Sequence, residues 1–364
     1  MPGRLLLLLL LVLPAIATPV RGQTVLEDLN LALTDEVVLP GYERFAAATR
    51  SLDTAMSGFC TDPTPEHLTS ARQAFAQAMM AWQHVQPIVH GPIVSGARTS
   101  IVQLFPDRRG AISRQLSQAL AERDPELVAP GGLEGKSVAL TGFPALEQIL
   151  YDDDRLPGAE ASGADGDYAC ALAAAIARNL AAVAAGVLDD WQRPGGFRDS
   201  VVTAAAGNDA YFAAEDASAD LLKSLHTALQ SVIALKLEAP LGESPEAAKP
   251  RLAESWRSEL SLGNIRANLE TAQALYTRSG GFGDALGAIA DEDKLDRAIR
   301  DSFAEAFTAL DAIELPLHAA VEDPAARDGV EALMGEVRTL RSLVAQHLAP
   351  ALDLLVGFNA MDGD

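Results

Sequence analysis

The sequence predicts an all-α protein arranged as two tandem helical bundles of the four-helix kind. Three observations predict it. The chain is rich in Ala and Leu, while aromatic residues make up only 5% of it, a composition of strong helix formers. Its apolar positions recur three and four residues apart. Proline stands just inside several segment starts, where its missing N–H costs nothing because that donor is unpaired anyway. No segment carries a hairpin or strand signal.

The elements follow in chain order. Arg4 precedes an apolar run from Leu5 to Leu13, and Ala15-Ile16-Ala17 follows as a small-x-small cleavage pattern. The run is too short for a membrane span and reads as the core of a secretory leader. Residues 1–22 are therefore expected to be a signal peptide, leaving a soluble, periplasmic product. No Cys follows the run to carry a lipid anchor. No later stretch reaches the roughly 18 consecutive apolar residues a membrane helix requires, so stable membrane insertion is not expected.

The first periodic segment runs from Thr24 to Met56. Thr64-Pro65-Glu66 then reads as cap, first-turn proline and early acid, leading into Ala71–Ile88. Gly142-Phe143-Pro144 opens a short apolar helix that carries Glu147 among Leu146, Ile149 and Leu150. Asp167 opens Tyr168–Trp191, with Leu172, Ile176, Leu180, Val183 and Val187 on one face. Arg193-Pro194-Gly195-Gly196 ends it and marks the expected domain boundary. Beyond it, periodic segments cover Ala217–Leu237, Ala253–Tyr276 (after Ser244-Pro245-Glu246), Asp293–Val321 and Asp328–Val356. The roughly 340 residues left after the leader suit two domains, expected at 23–193 and 197–364, each a packed helical bundle.

Charge narrows the partners. The formal net charge is −22, and loss of the leader removes Arg4 and Arg21 as well. Nucleic acid and anionic membrane surfaces are therefore poor partners, while cationic ligands, metal ions and basic proteins remain. The two cysteines, Cys60 and Cys170, are expected to pair in an oxidising compartment.

The familiar catalytic motifs are missing: there is no Gly-x-Ser-x-Gly, His-Glu-x-x-His, Gly-x-Gly-x-x-Gly or phosphate-binding Gly-x-x-x-x-Gly-Lys pattern. Glu147, placed in the first turn of its helix, reads as a ligand, a catalyst or an ordinary N-terminal cap. Glu314, His318 and Glu322 have a spacing of four, which suits metal ligation on one helix face but also a solvated stripe. His84 and His90 flank the end of the Trp82 helix, and Asp152-Asp153-Asp154 forms an acidic loop. Each reads first as structural or solvated. Arg257, Asn264 and Asn268 fall on one face of an apolar helix, where buried polar groups need partners. An anchor from Arg257 to Glu147 across the domain interface is one reading of them, and hydrogen bonds between helices are the other.

With these residues in view, the chain resembles the imelysin family, which includes insulin-cleaving membrane peptidases and non-peptidase relatives. The resemblance rests on an ordered set of segments: Ala81-Trp82 to Gly91-Pro92-Ile93; Gly142-Phe-Pro-Ala-Leu-Glu147; Lys236-Leu237 with Pro240-Leu-Gly242; Trp256-Arg257-Ser258 through Ser261-Leu262 to Asn264-Ile265; and Gly357 to Asp364. It implies an all-helical, two-bundle, exported bacterial protein linked to iron uptake, with a motif Gly-x-His-x-x-Glu near the domain interface. The motif's glycine falls on Gly142, its acid on Glu147 and its histidine on Pro144, which can neither ligate a metal nor move a proton. The resemblance thus implies a non-catalytic binding or accessory protein in iron acquisition, with Glu147, Arg257, Asn264 and Asp362 lining an interdomain site. Its alternative is a metallopeptidase with a rearranged ligand set drawn from His84, His90 or Asp362. Iron or another divalent metal is the group so implied, and envelope iron-uptake components or a cationic ligand are the partners.

Overall fold

A computed structural model of the chain describes residues 21–152, 156 and 164–354. Residues 1–20 of the expected leader, Asp153, Asp154 and the segment from Gly357 to Asp364, including Asp362, lie outside the described residues. The described residues form helices and turns with no strand among them.

Helix α1 (Arg21–Leu33) passes through a wider π-helical turn at Thr34–Val38 into α2 (Leu39–Thr61). Helix α3 (Pro65–Val85) starts as its residues dictate: Thr64 Oγ1 accepts from the His67 N–H at 3.2 Å, with Pro65 and Glu66 in the first turn. Then follow α4 (Phe143–Tyr151), α5 (Ala164–Gln192), α6 (Ala214–Ser231), α7 (Ser261–Thr277), α8 (Asp293–Asp311) and α9 (Pro324–Leu343). Asp323 caps α9, accepting from the Ala325 and Ala326 N–H groups.

The contacts fall into two groups of packed helices. In the first, α2 packs along α3 and α5, and α4 lies on α5; in the second, α6, α7, α8 and α9 pack together. Helix α3 also lies against α7 and joins the groups. The first described helix, α1, packs on α6, and the Asn30 amide donates to the Ala214 carbonyl at 2.8 Å. One continuous apolar cluster fills both groups. Gly166–Val202, long and apolar enough to cross a membrane, supplies core residues such as Leu172, Ile176, Leu180 and Val187.

Cys60, at the end of α2, is bonded to Cys170 on α5, as expected from the cysteine count. No free cysteine is present.

Two expected helices are broken. Ser244-Pro245-Glu246 launches only a short 3₁₀ turn, Pro245–Ala247, followed by a second at Pro250–Leu252, and the α-helix begins as late as Ser261. Pro250 is the cause. Proline drives the preceding residue out of the helical region, and Lys249 accordingly sits at φ −127°, ψ 69°. The chain then turns through left-handed Ser255 (φ 52°) and Glu259 (φ 60°). Likewise the expected Asp293–Val321 helix ends at Asp311 and resumes only as Leu317–Ala320, after Pro316. Glu314, His318 and Glu322 therefore form no continuous stripe on one helix.

Candidate functional site

Glu147 is the fifth residue of α4, because the helix begins at Phe143 and Gly142 is its N-cap. It stands beyond the first turn, so it neither caps the helix nor draws on the free N–H groups there. This corrects the sequence expectation. Gly142 is required for a different reason: a Cβ at this position would lie 2.3 Å from the Val102 carbonyl oxygen and 2.6 Å from that of Ile101. Any side chain at 142 must push α4 off the end of the short helix Arg98–Val102. Pro144 follows at the second helical position, where a missing N–H is tolerated.

The Glu147 side chain is only 5% exposed. Its Oε1 accepts from the Ser258 N–H at 2.9 Å and from the Ser258 hydroxyl at 2.7 Å. Burial pushes the carboxyl pKa up; the Ser258 hydrogen bonds and nearby Arg257 oppose the rise, and Glu254 adds to it. Arg257 does not ion-pair with Glu147, which corrects the expected anchor. Its Nε donates to Asp152 Oδ1 at 3.0 Å, and its guanidinium lies 4.4 Å from the centroid of the Trp256 ring. Because residues 253–260 are turns rather than helix, Arg257 shares no helical face with Asn264.

Asn264 serves a second buried acid, Glu254. Its amide donates to Glu254 Oε2 at 2.8 Å and to Ser255 Oγ at 3.1 Å. Lys236 Nζ lies 2.9 Å from the same Oε2, with both side chains 2% exposed. Gln103 donates to Glu254 Oε1 at 2.9 Å, and Lys236 also donates to Gln83 Oε1 at 2.6 Å. Asn268 donates to the Gln83 carbonyl at 2.7 Å. Helix α3, the loop before α4, the π-helical turn Val232–Leu237 and α7 thus meet in one buried polar network. Burial lowers the Lys236 pKa, and Glu254 opposes that shift.

A cavity of about 280 Å³ opens beside this network. Glu147, Glu254, Pro144, Gln103, Arg251 and Arg257 are among its lining residues, with apolar walls that include Met79, Leu104, Phe105 and Trp256. None of the three histidines weighed from sequence is among them. His90 is buried against Trp191 and Phe197, near Ser224 Oγ at 3.2 Å, and burial takes its pKa down to about 4. His84 lies against Thr271 and Glu270. His318 faces the Trp256 ring at 6.3 Å.

Sequence reasoning singled out Gly142, Glu147, Arg257 and Asn264 but missed Ser258, Glu254, Gln103 and Lys236. Lys236 had a readable signal, a lone charge inside the apolar run Val232–Leu237. The residues present do not fit a metal centre built from protein ligands alone. Among the described residues no group of three or more His, Cys, Asp or Glu side chains is placed to hold an ion. Of the three cavity carboxylates, Glu254 is held by Lys236, Gln103 and Asn264, Asp107 by the Ala111 and Ile112 N–H groups, and Glu147 by Ser258 through Oε1 alone.

The buried acid makes a pH prediction. A carboxyl whose pKa rises on folding binds its proton more tightly in the native state. Its contribution to stability is therefore largest at low pH and is lost as pH rises through the folded pKa. The neutral Glu147→Gln retains an acceptor for Ser258 and lacks the penalty of a buried charge. Denaturation from pH 4 to pH 8 is expected to show the variant gaining stability relative to wild type as pH rises. A difference that stays flat across that range contradicts the assignment.

Fold and site together define a class: an all-helical protein holding one buried, serine-bound acid beside an open cavity next to a buried Lys–Glu pair. The chain belongs to the imelysin family, whose model matches residues 38–344. It is 22% identical to iron-regulated protein A of Synechococcus elongatus over 324 residues, 87% of this chain and 84% of that one. The crystal structure of an imelysin-like protein from Psychrobacter arcticum 273-4 superimposes with a TM-score of 0.75 at 18% identity, covering 92% of this chain and 98% of that one. A structure from Parabacteroides distasonis ATCC 8503, described as an iron-regulated protein A precursor, gives a TM-score of 0.78 at 14% identity, covering 93% and 97%. At these identities the structural matches establish the fold.

Proposed function

We propose that the chain is an exported, periplasmic binding or accessory protein with an iron-related role, and that it does not hydrolyse peptides. Its proposed organisation is a leader at 1–22 followed by helical halves at 23–193 and 197–364, with the binding site in the cavity between them. The observation that carries the reading is the state of Glu147. It is buried, bound through one oxygen by Ser258, and preceded by Pro144 where the resemblance places a histidine. A hydrolytic site needs a second group to activate water, commonly a metal held by three protein ligands. The cavity offers Glu147, an already paired Glu254, and Asp107, whose oxygens cap the Ala111 and Ile112 N–H groups. Iron-regulated relatives and the disulfide support the iron-related role and the export.

The test has two readouts. The purified protein, incubated with insulin B chain and added zinc or iron(II), is expected to leave the peptide intact, and its transcript is expected to change under iron starvation. Cleavage abolished by Glu147→Gln would establish the metallopeptidase alternative. A transcript level indifferent to iron would remove the iron-related role.

A further inference from the structure

We infer that the cavity beside Glu147 binds a small zwitterion with an apolar body, of the amino-acid or short-peptide kind, its ammonium on Glu147 and its carboxylate on Arg251. This rests on the cavity being a binding site and specifies what it takes.

The floor is set by Glu147. Only its Oε1 is engaged by Ser258; Oε2 has no hydrogen-bond partner among the described residues, and the residue lines the cavity. That oxygen is free to meet whatever enters the cavity, and an ammonium group supplies both charge and hydrogen bonds to a carboxylate. Glu254 does not compete for that cation, because Lys236 already occupies it.

The rim carries the opposite charge. Arg251 is exposed and lines the same cavity. Among the described residues no carboxylate pairs with it, and its guanidinium rests 5.7 Å from the Trp256 ring centroid. In a chain with 50 acidic and 28 basic residues, that is an available cation in a strongly acidic molecule. Guanidinium groups bind carboxylates through paired hydrogen bonds. Arg257 is less available, since Asp152 holds it. The third acid on the cavity, Asp107, spends its oxygens on the Ala111 and Ile112 N–H groups. Between floor and rim the walls mix apolar Leu104, Phe105, Ile112 and Trp256, which suit an apolar body, with polar Gln103 and Gln148. The volume, about 280 Å³, is near the lower end of small-molecule sites.

The test is calorimetric titration of the intact protein with leucine and Leu-Leu, their C-terminal amides and their N-acetyl derivatives. At least one zwitterion is expected to bind, with its amide and its N-acetyl form each weaker by about tenfold or more, the worth of a charge-assisted hydrogen bond. Glu147→Gln is expected to weaken the zwitterion and leave the N-acetyl form unchanged, while Arg251→Ala weakens the zwitterion and leaves the amide unchanged. An amide that binds as tightly as its parent overturns the Arg251 subsite. An N-acetyl form that binds as tightly overturns the role of Glu147. No heat or thermal shift with any of them at millimolar concentration overturns the inference as a whole. None of these outcomes depends on peptide hydrolysis or on the iron response, so the broader reading fails or stands separately.

Discussion

Lys236→Met is expected to cost about 4 kcal/mol of stability, because removing one partner of a buried ion pair leaves the other charge uncompensated. The Lys236 and Glu254 side chains are each 2% exposed and lie 2.9 Å apart. Without the ammonium, Glu254 keeps the amides of Gln103 and Asn264 as donors, but no positive charge. The damage should spread along the chain from that point. Glu254 opens the irregular stretch that carries Trp256, Arg257 and Ser258, and its own carbonyl accepts from the Ser261 hydroxyl at the start of α7. The check is a urea titration of wild type, Lys236→Met, Glu254→Gln and the double variant. Lys236→Met/Glu254→Gln is expected to recover a large part of the loss, since a neutral pair leaves no isolated charge. A single variant within about 0.5 kcal/mol of wild type, the scatter of ordinary surface changes, would show that water reaches the pair. A double variant no better than Lys236→Met would mean that packing of the lysine stem carries the effect.

The fold was largely legible because its signals are local. Thr64-Pro65-Glu66 starts α3 as written, and the apolar positions of α5 are the ones that enter the core. The same wording failed at Ser244-Pro245-Glu246 because a second proline, Pro250, follows before a helix can propagate, and buried Glu254 then holds the turn in place. That single error moved Arg257 off the face it appeared to share with Asn264. It thereby suggested a bond to Glu147 where the protein makes one to Asp152. The candidate acid was readable from its setting among apolar neighbours. Its partner was not, because Ser258 comes from 111 residues further along the chain and no local period reports a contact of that range. The buried network escaped for the same reason. Its members come from five segments, counting the turn that carries Glu254, and each looks like an isolated polar residue until the fold brings them together.

Replacing both bridged cysteines, Cys60→Ala with Cys170→Ala, is expected to lower stability by about 4 kcal/mol, the upper end of the range typical of a disulfide and just below the loop-closure entropy of a loop on the order of 100 residues. The bridge spans 110 positions and ties the end of α2 to α5, two helices that already pack along each other. Because that packing survives without the bond, the variant is expected to fold with the same helix content. The effect lies in the unfolded chain, which loses its cross-link and expands. Two observables follow together. The urea midpoint should fall, and the denaturant slope should rise because a chain without the cross-link exposes more surface. Treating the wild-type protein with a reductant should reproduce both changes and leave the alanine variant unaffected. The same arithmetic bears on where the protein works. A chain that draws about 4 kcal/mol from one bond, against the roughly 5–15 kcal/mol typical of native proteins, loses a large share of its stability in a reducing compartment. A midpoint unchanged by both the substitutions and the reductant would show that the bridge adds nothing to the packing of α2 on α5. The bond would then no longer support the proposal of export.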